Sequence, residues 1–237
     1  SGYSQIGGIV GRNLGLVELC GNTGAITGEM GYVGGIVGDN KSTVRNCWNT
    51  GNIQVDLNYV GGITGANNSS GTDGTAALTE NCWSTGTVVN LEKSSAGGIV
   101  GAAWVNLGGV RNCYSLMKPV GLIRDAHPVT NAEQKTLDQF ASGEVAYLLG
   151  GVWGQDLDNG KTVQTVPTFD GADVYYGYSS CADTKAKYTN NASVSATPTA
   201  HDWGYTATGA EIVGTCVNGC GADGGKVTLI LDGTAVY

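Results

Sequence analysis

The pentapeptide Gly-Gly-Ile-Val-Gly constrains this chain more than any other feature, because it returns. It stands at 7–11, 34–38 and 97–101, and with Thr in place of Val at 61–65, so that successive copies start 27, 27 and 36 residues apart. A cysteine follows each copy, at Cys20, Cys47, Cys82 and Cys113. In the first three copies a glycine stands four residues after that cysteine, at Gly24, Gly51 and Gly86, and the next copy begins 10, 10 and 11 residues later. The variable length therefore lies between the pentapeptide and the cysteine. Self-similarity at such a period marks a stacked repeat architecture.

Within a repeat the apolar residues come in short runs, Ile36-Val37, Val44, Ile53 with Val55, and Tyr59-Val60, separated by turn residues. Such runs read as strands. A unit of this length cannot bury two faces alone, but copies stacked on one another can. We expect a mainly β protein. Residues 1–124 form a right-handed parallel β-helix of four repeats, 125–180 a small α/β cap, and 181–237 a linker with a short β module. A β-propeller is the alternative, but its blades need about 40 residues or more. The paired glycines are expected to permit positive φ at the corners and close approach of neighbouring coils. Asn49-Thr50-Gly51 and Ser84-Thr85-Gly86 are turn chemistry. The insert at 67–74 should bulge as a surface loop.

Stacking turns equivalent positions into columns. Cys20, Cys47, Cys82 and Cys113 form a ladder of small buried hydrophobes, with Ile26, Ile53 and Val88 also pointing inward. Glu18, Arg45, Glu80 and Arg111 alternate in sign from rung to rung. Asn46, Asn81 and Asn112 make an Asn ladder at a corner. Trp48, Trp83 and Tyr114 make an aromatic column, which is either a sugar-stacking platform or a surface packed under a flanking segment.

The unit GGIVG…NC(W/Y)NTG, carried by 34–38 with 46–51 and its copies, resembles the GLUG repeat of bacterial surface proteins. That resemblance covers 1–124 and implies a large secreted or wall-anchored protein of adhesin type; it brings no catalytic residues. Repeat four departs from it, with Met117 at the expected glycine and Pro119 after, which reads as the end of the array. The segment Ser142–Leu149, with Trp153, Pro167 and Phe169, resembles the stretch that commonly follows such arrays.

In the cap, Thr130–Glu133 fits a capping box. Leu137, Phe140, Val145, Leu148 and Leu149 then follow a helical stripe broken at Ser142-Gly143, which predicts two short helices ending at Gly150-Gly151. A turn at Asp158-Asn159-Gly160 is expected to join a hairpin, with Thr162–Val166 and Val174–Tyr178 as strands. The cap should cover the exposed end of the stack. Asp156–Gly160 resembles a calcium loop but lacks the later carboxylates such a loop needs, so it reads as a turn.

In the tail, Ile212-Val213 and Val227–Leu231 read as strands. Cys181, His201, Cys216 and Cys220 have the ligand count of a zinc site. A disulfide within the three cysteines, or three free thiols, are the other readings.

Function is read mainly from what does not converge. Glu18, Asp39, Asp56 and Glu80 occupy different phases of the repeat, so no catalytic carboxylate pair is expected. There is no metalloprotease helix, nucleophile elbow or phosphate loop. With 12 Lys+Arg against 20 Asp+Glu, nucleic acid and anionic membrane are poor partners. No apolar run reaches the ~20 residues a spanning helix needs. The chain begins at Ser1 already inside a repeat, as expected of a piece of a longer protein. The expectation is a non-catalytic extracellular stalk or adhesive module, at the cell surface or wall of a bacterium. It would need no cofactor and would meet a host or neighbouring-cell glycan or protein. The alternatives are a carbohydrate-binding module using Trp48, Trp83 and Tyr114, and a β-helical polysaccharide-degrading enzyme.

Overall fold

The computed structural model describes residues 4–68, 76–92, 95–104, 108–124, 128–158 and 160–228. The chain is mainly β, with three parallel sheets to which each repeat contributes in turn. The first sheet takes Ser4–Gly7, Ile26–Gly34 and Ile53–Gly61, and then both Val88–Asn90 and Ser95–Gly97. The second takes Val10–Asn13, Val37–Asn40, Thr64–Asn67, Val100–Ala103 and Val120–Ile123. The third takes Leu16–Glu18, Thr43–Arg45 and Ala77–Glu80, with the two-residue strands Gly21–Asn22, Trp48–Asn49 and Trp83–Ser84 beside them. Gly108–Ser115 then pairs with both series, and Val129–Gln134 pairs with it in turn.

The register follows the repeat. Val10 pairs with Val37, Val37 with Thr64, Thr64 with Val100, and Val100 with Val120. Ile36, Ile63 and Ile99, from the pentapeptides, are fully buried with Val44, Cys47, Cys82, Val110 and Cys113 between the second and third sheets. Val33, Ile53, Val55, Val60 and Val88 form a second cluster behind the first sheet. β-branched residues suit these short, flat runs.

The glycines of the pentapeptides act by closeness alone. Among the described residues none of them has a positive φ, which corrects the expected corner role. A Cβ at Gly35 would lie 2.1 Å from the Gly62 carbonyl oxygen, and one at Gly61 would lie 2.0 Å from that of Thr64. The left-handed corners are made instead by Asn46, Asn81 and Asn112, at φ 51°, 51° and 48°, and by Leu19 at 54°. Asn tolerates that region better than most residues. The insert at 67–74 lies largely outside the described residues.

Two local expectations fail in the cap. Thr130–Glu133 is strand, because the edge of Gly108–Ser115 offers backbone partners to Val129–Gln134. The capping box sits further on, at Thr136 and Gln139, and opens helix α1, Leu137–Ala141. Helix α2, Glu144–Leu149, begins at Gly143 and ends at Gly150. The expected hairpin is also re-paired. Tyr175–Gly177 runs antiparallel to Lys187–Thr189 and not to 162–166, which holds no strand. Asn159 of the expected turn lies outside the described residues.

The tail holds a three-stranded antiparallel sheet, Trp203–Thr208, Glu211–Cys216 and Asp223–Thr228. Leu231 lies outside the described residues. Among the described residues no helix is long and apolar enough to cross a membrane.

Candidate functional site

The aromatic column rises from the corner after the cysteines. Trp48 and Trp83 stack with ring centroids 5.6 Å apart and planes 12° from parallel. Trp83 pairs in register with Tyr114 across the next rung. The helices of the cap lie against this flank, while its strand Val129–Gln134 pairs with the edge of Gly108–Ser115. Phe140, Val145, Leu149 and Trp153 close over Trp83 and Tyr114. The Trp153 indole N–H donates to the Asn81 carbonyl at 3.1 Å, and the Asn112 amide donates to that of Leu149 at 3.2 Å. Lys135 completes the seam, bonded to Glu144 and Glu133 at 2.8 Å each. Burial pushes the Tyr114 phenol up to about 12, and its hydroxyl bonds Asn112 at 2.9 Å.

Trp83 is 1% exposed and Tyr114 3%. The cap thus covers two of the three rings of the column, and Trp83 shows only an edge to the groove beside Trp48. Trp48 stays half-buried at the rim of a groove of about 500 Å³, facing Pro167 and Phe169 across it. Thr23, Thr50 and Thr168 supply hydroxyls there, and Asp170 is the one carboxylate in the lining.

The other columns form as follows. Cys47, Cys82 and Cys113 are buried and Cys20 is partly covered. The backbone N–H groups of Trp48, Trp83 and Tyr114 bond the carbonyls of Cys20, Cys47 and Cys82 across the rungs. Each thiol leans on the carbonyl two residues earlier, at 3.0–3.2 Å. Burial holds the Cys82 thiol well above its ordinary pKa, and Cys47, Cys82 and Cys113 lie within the apolar core with Cys20 packed against it. Arg45 pairs with Glu18 and Arg111 with Glu80. The Asn112 amide donates to Asn81 at 2.6 Å.

A second Asn ladder escaped the sequence reading. Asn13 donates to Asn40 at 2.9 Å and Asn40 to Asn67 at 3.0 Å, all buried. The signal was present, since each stands six residues after the first Gly of its pentapeptide. A ladder of this kind fills the polar needs of a buried row rung by rung.

Glu18, Asp39, Asp56 and Glu80 remain out of phase, but a fifth acid, Glu29, was not among those compared. Glu29 sits between the pairs Gly28–Val55 and Met30–Leu57, and so beside Asp56. The Glu92 N–H bonds the Asp56 carbonyl at 3.0 Å. Glu29 and Asp56 are thus neighbours on the first sheet, and Glu92 lies in the turn after the next strand, all three exposed. Glu29 and Asp56 border a shallow recess of about 430 Å³ with Thr27 and Gln54.

The four tail residues come together. One ligand atom from each of Cys181, His201, Cys216 and Cys220 lies within 4.8 Å of all the others, the one such group among the described residues. Cys181 follows the strand Tyr175–Gly177, His201 precedes Trp203–Thr208, Cys216 ends Glu211–Cys216, and Cys220 lies in the turn beyond. The hydrogen bond to His201 draws the Cys216 thiol down to about 6, and that to Cys220 pushes Cys181 up to about 12.

No family model matches this chain, and neither does any curated protein or solved structure.

Proposed function

We propose that the three parallel sheets are the faces of one right-handed parallel β-helix. The chain is then a non-catalytic extracellular module of a bacterial surface protein of GLUG-repeat type, used as a stalk or adhesive element. Right-handed crossover is the rule for parallel strands joined in this way. The observation that carries the reading is the in-register parallel stacking of whole repeats. The acids of the third sheet are spent on Arg45 and Arg111, and the buried Asp39 on Lys41 and Arg12. The partner would be a host or neighbouring-cell glycan or protein. Antibody raised to this chain should label intact bacteria that carry the parent protein, and a polysaccharide panel should stay undigested. Label confined to lysed cells would overturn the reading.

Two other readings each rest on one observation. Trp48 and Phe169 face a groove whose hydroxyls suit a sugar ring. A carbohydrate-binding module would lose glycan-array signal in Trp48→Ala and keep it in Tyr114→Phe. The paired Glu29 and Asp56 are what a polysaccharide-degrading enzyme would use. Turnover of any polysaccharide that disappears in both Glu29→Gln and Asp56→Asn would establish that reading.

A further inference from the structure

We propose that Cys181, His201, Cys216 and Cys220 bind one zinc ion, and that this ion is the staple of the C-terminal sheet. A tetrahedral zinc with Zn–S near 2.3 Å and Zn–N near 2.0 Å needs ligand atoms about 3.5–3.8 Å apart. The Cys181 and Cys216 sulfurs are 3.4 Å apart, and Cys220 Sγ is 3.5 Å from His201 Nδ1. A disulfide would bring two sulfurs to about 2.0 Å and leave the third thiol and the imidazole without a role. Three thiolates and one imidazole form a closed, soft donor set that suits zinc better than calcium or magnesium.

The local backbone is shaped for the same task. Cys216 and Cys220 bracket a three-residue turn closed by the Gly219 N–H on the Cys216 carbonyl at 3.2 Å. Gly219 and Gly221, on either side of Cys220, both adopt left-handed φ, 71° and 74°. That conformation lets the chain double back and turn the Cys220 sulfur inward.

The second, independent observation is the poverty of the sheet these ligands hold. The strand Asp223–Thr228 is exposed at every residue, and Trp203–Thr208 has no buried one. None of its residues belongs to the hydrophobic clusters found among the described residues. A module this size without a core needs a cross-link or a metal to fold. The ligands are placed for that, because Cys181 reaches over from the segment that packs with the cap. There Asn190 bonds the carbonyls of Gln155 and Asp173. Zinc would tie that segment to the start of the sheet's first strand and to the turn after its second. Binding takes Zn²⁺ from solution, converts three thiols to thiolates and releases up to three protons, with no change of oxidation state.

The test uses the whole chain, purified reduced and loaded with zinc alone or cobalt alone. One metal per chain by elemental analysis is expected, with the visible absorption of tetrahedral thiolate-bound cobalt. Affinity should fall about a hundredfold or more in Cys220→Ser and in His201→Ala, recover in His201→Cys, and stay within twofold in Cys82→Ser. His201 is exposed, so its loss should leave the repeats folded. Amide exchange in 203–228 should quicken on chelation while that in 26–67 does not. Less than a tenth of an equivalent of metal in the reduced chain would overturn the proposal, as would a disulfide within the three cysteines in the non-reduced peptide map. So would equal loss of metal in Cys82→Ser. None of these outcomes depends on whether the module sits at a cell surface.

Discussion

The repeat stack and the C-terminal sheet use the same amino acid in opposite ways. In the stack, Cys20, Cys47, Cys82 and Cys113 come one to a rung, and all but Cys20 are buried with their thiols against backbone carbonyls. In the tail, Cys181, Cys216 and Cys220 come from separate turns and converge with His201. The difference lies in what each region can bury. The stack hides Ile36, Ile63 and Ile99 completely and repeats every backbone pairing from coil to coil. It has no need of a cross-link, and its thiols behave as small hydrophobes. The tail hides almost nothing, and there side-chain chemistry must replace a core.

The largest effect is expected at the seam where the cap meets the stack. Trp83→Ala should cost about 4 kcal/mol, because the ring touches Trp48, Phe140 and Trp153. Protease cutting within 135–150 at unchanged far-ultraviolet β signal would show the cap released from a surviving stack. Loss of the β signal as well would mean that the stack does not stand alone. Next comes coil spacing. Gly61→Ala places a Cβ against the Thr64 carbonyl, with the backbone of Ile99 and Gly101 close behind. About 3 kcal/mol should be lost in denaturant unfolding, and Gly209→Ala in the tail, with open space around it, should cost no more than the strain of its left-handed φ, about 1 kcal/mol.

The cysteine contrast is sharpened by a smaller change. Cys82→Ala should destabilise the stack by about 1 kcal/mol and leave the reactivity of the tail thiols as it was. In the native, metal-free chain a thiol reagent should label Cys181, Cys216 and Cys220 well before Cys47, Cys82 or Cys113. Equal labelling rates would abolish the distinction.

The smallest effect concerns Asp39. Burial raises its pKa against the lowering by Lys41 and Arg12. A carboxyl whose native pKa lies above its unfolded value favours the fold most at low pH, and that contribution is lost as pH rises through the native pKa. Asp39→Asn should therefore gain up to about 1 kcal/mol at pH 7 and gain nothing at pH 3, as read from melting temperature. A loss at pH 7 would mean that the Arg12 and Lys41 ion pairs outweigh burial.

Much of the stack was legible because one signal was repeated. The spacing of the pentapeptides is the register of the second sheet, Val10 to Val37 to Thr64 to Val100. The inward cysteines and the Asn corners followed from it. Glu29 and Asp56 stand at the same offset too, as do Asn13, Asn40 and Asn67, yet short polar side chains give no apolar pattern to notice. The capping box was misplaced because Thr130–Glu133 and Thr136–Gln139 carry equally good local signatures. The free edge of Gly108–Ser115 took the first, and only the second was left to open a helix.

By itself the sequence determined that copies stack, at what intervals, and which side chains form files, because a recurring motif leaves a parallel chain one consistent pairing. It also held the four soft ligands, but only as a count. Tertiary structure decided that the helices lie along the Trp83–Tyr114 flank, leaving Trp48 the most open ring of its column, at the rim of a groove. It also decided that Cys181 meets its partners from about 20 to 40 positions further along. Both outcomes depend on contacts between segments that share no period, and no local pattern encodes the closure of such a loop.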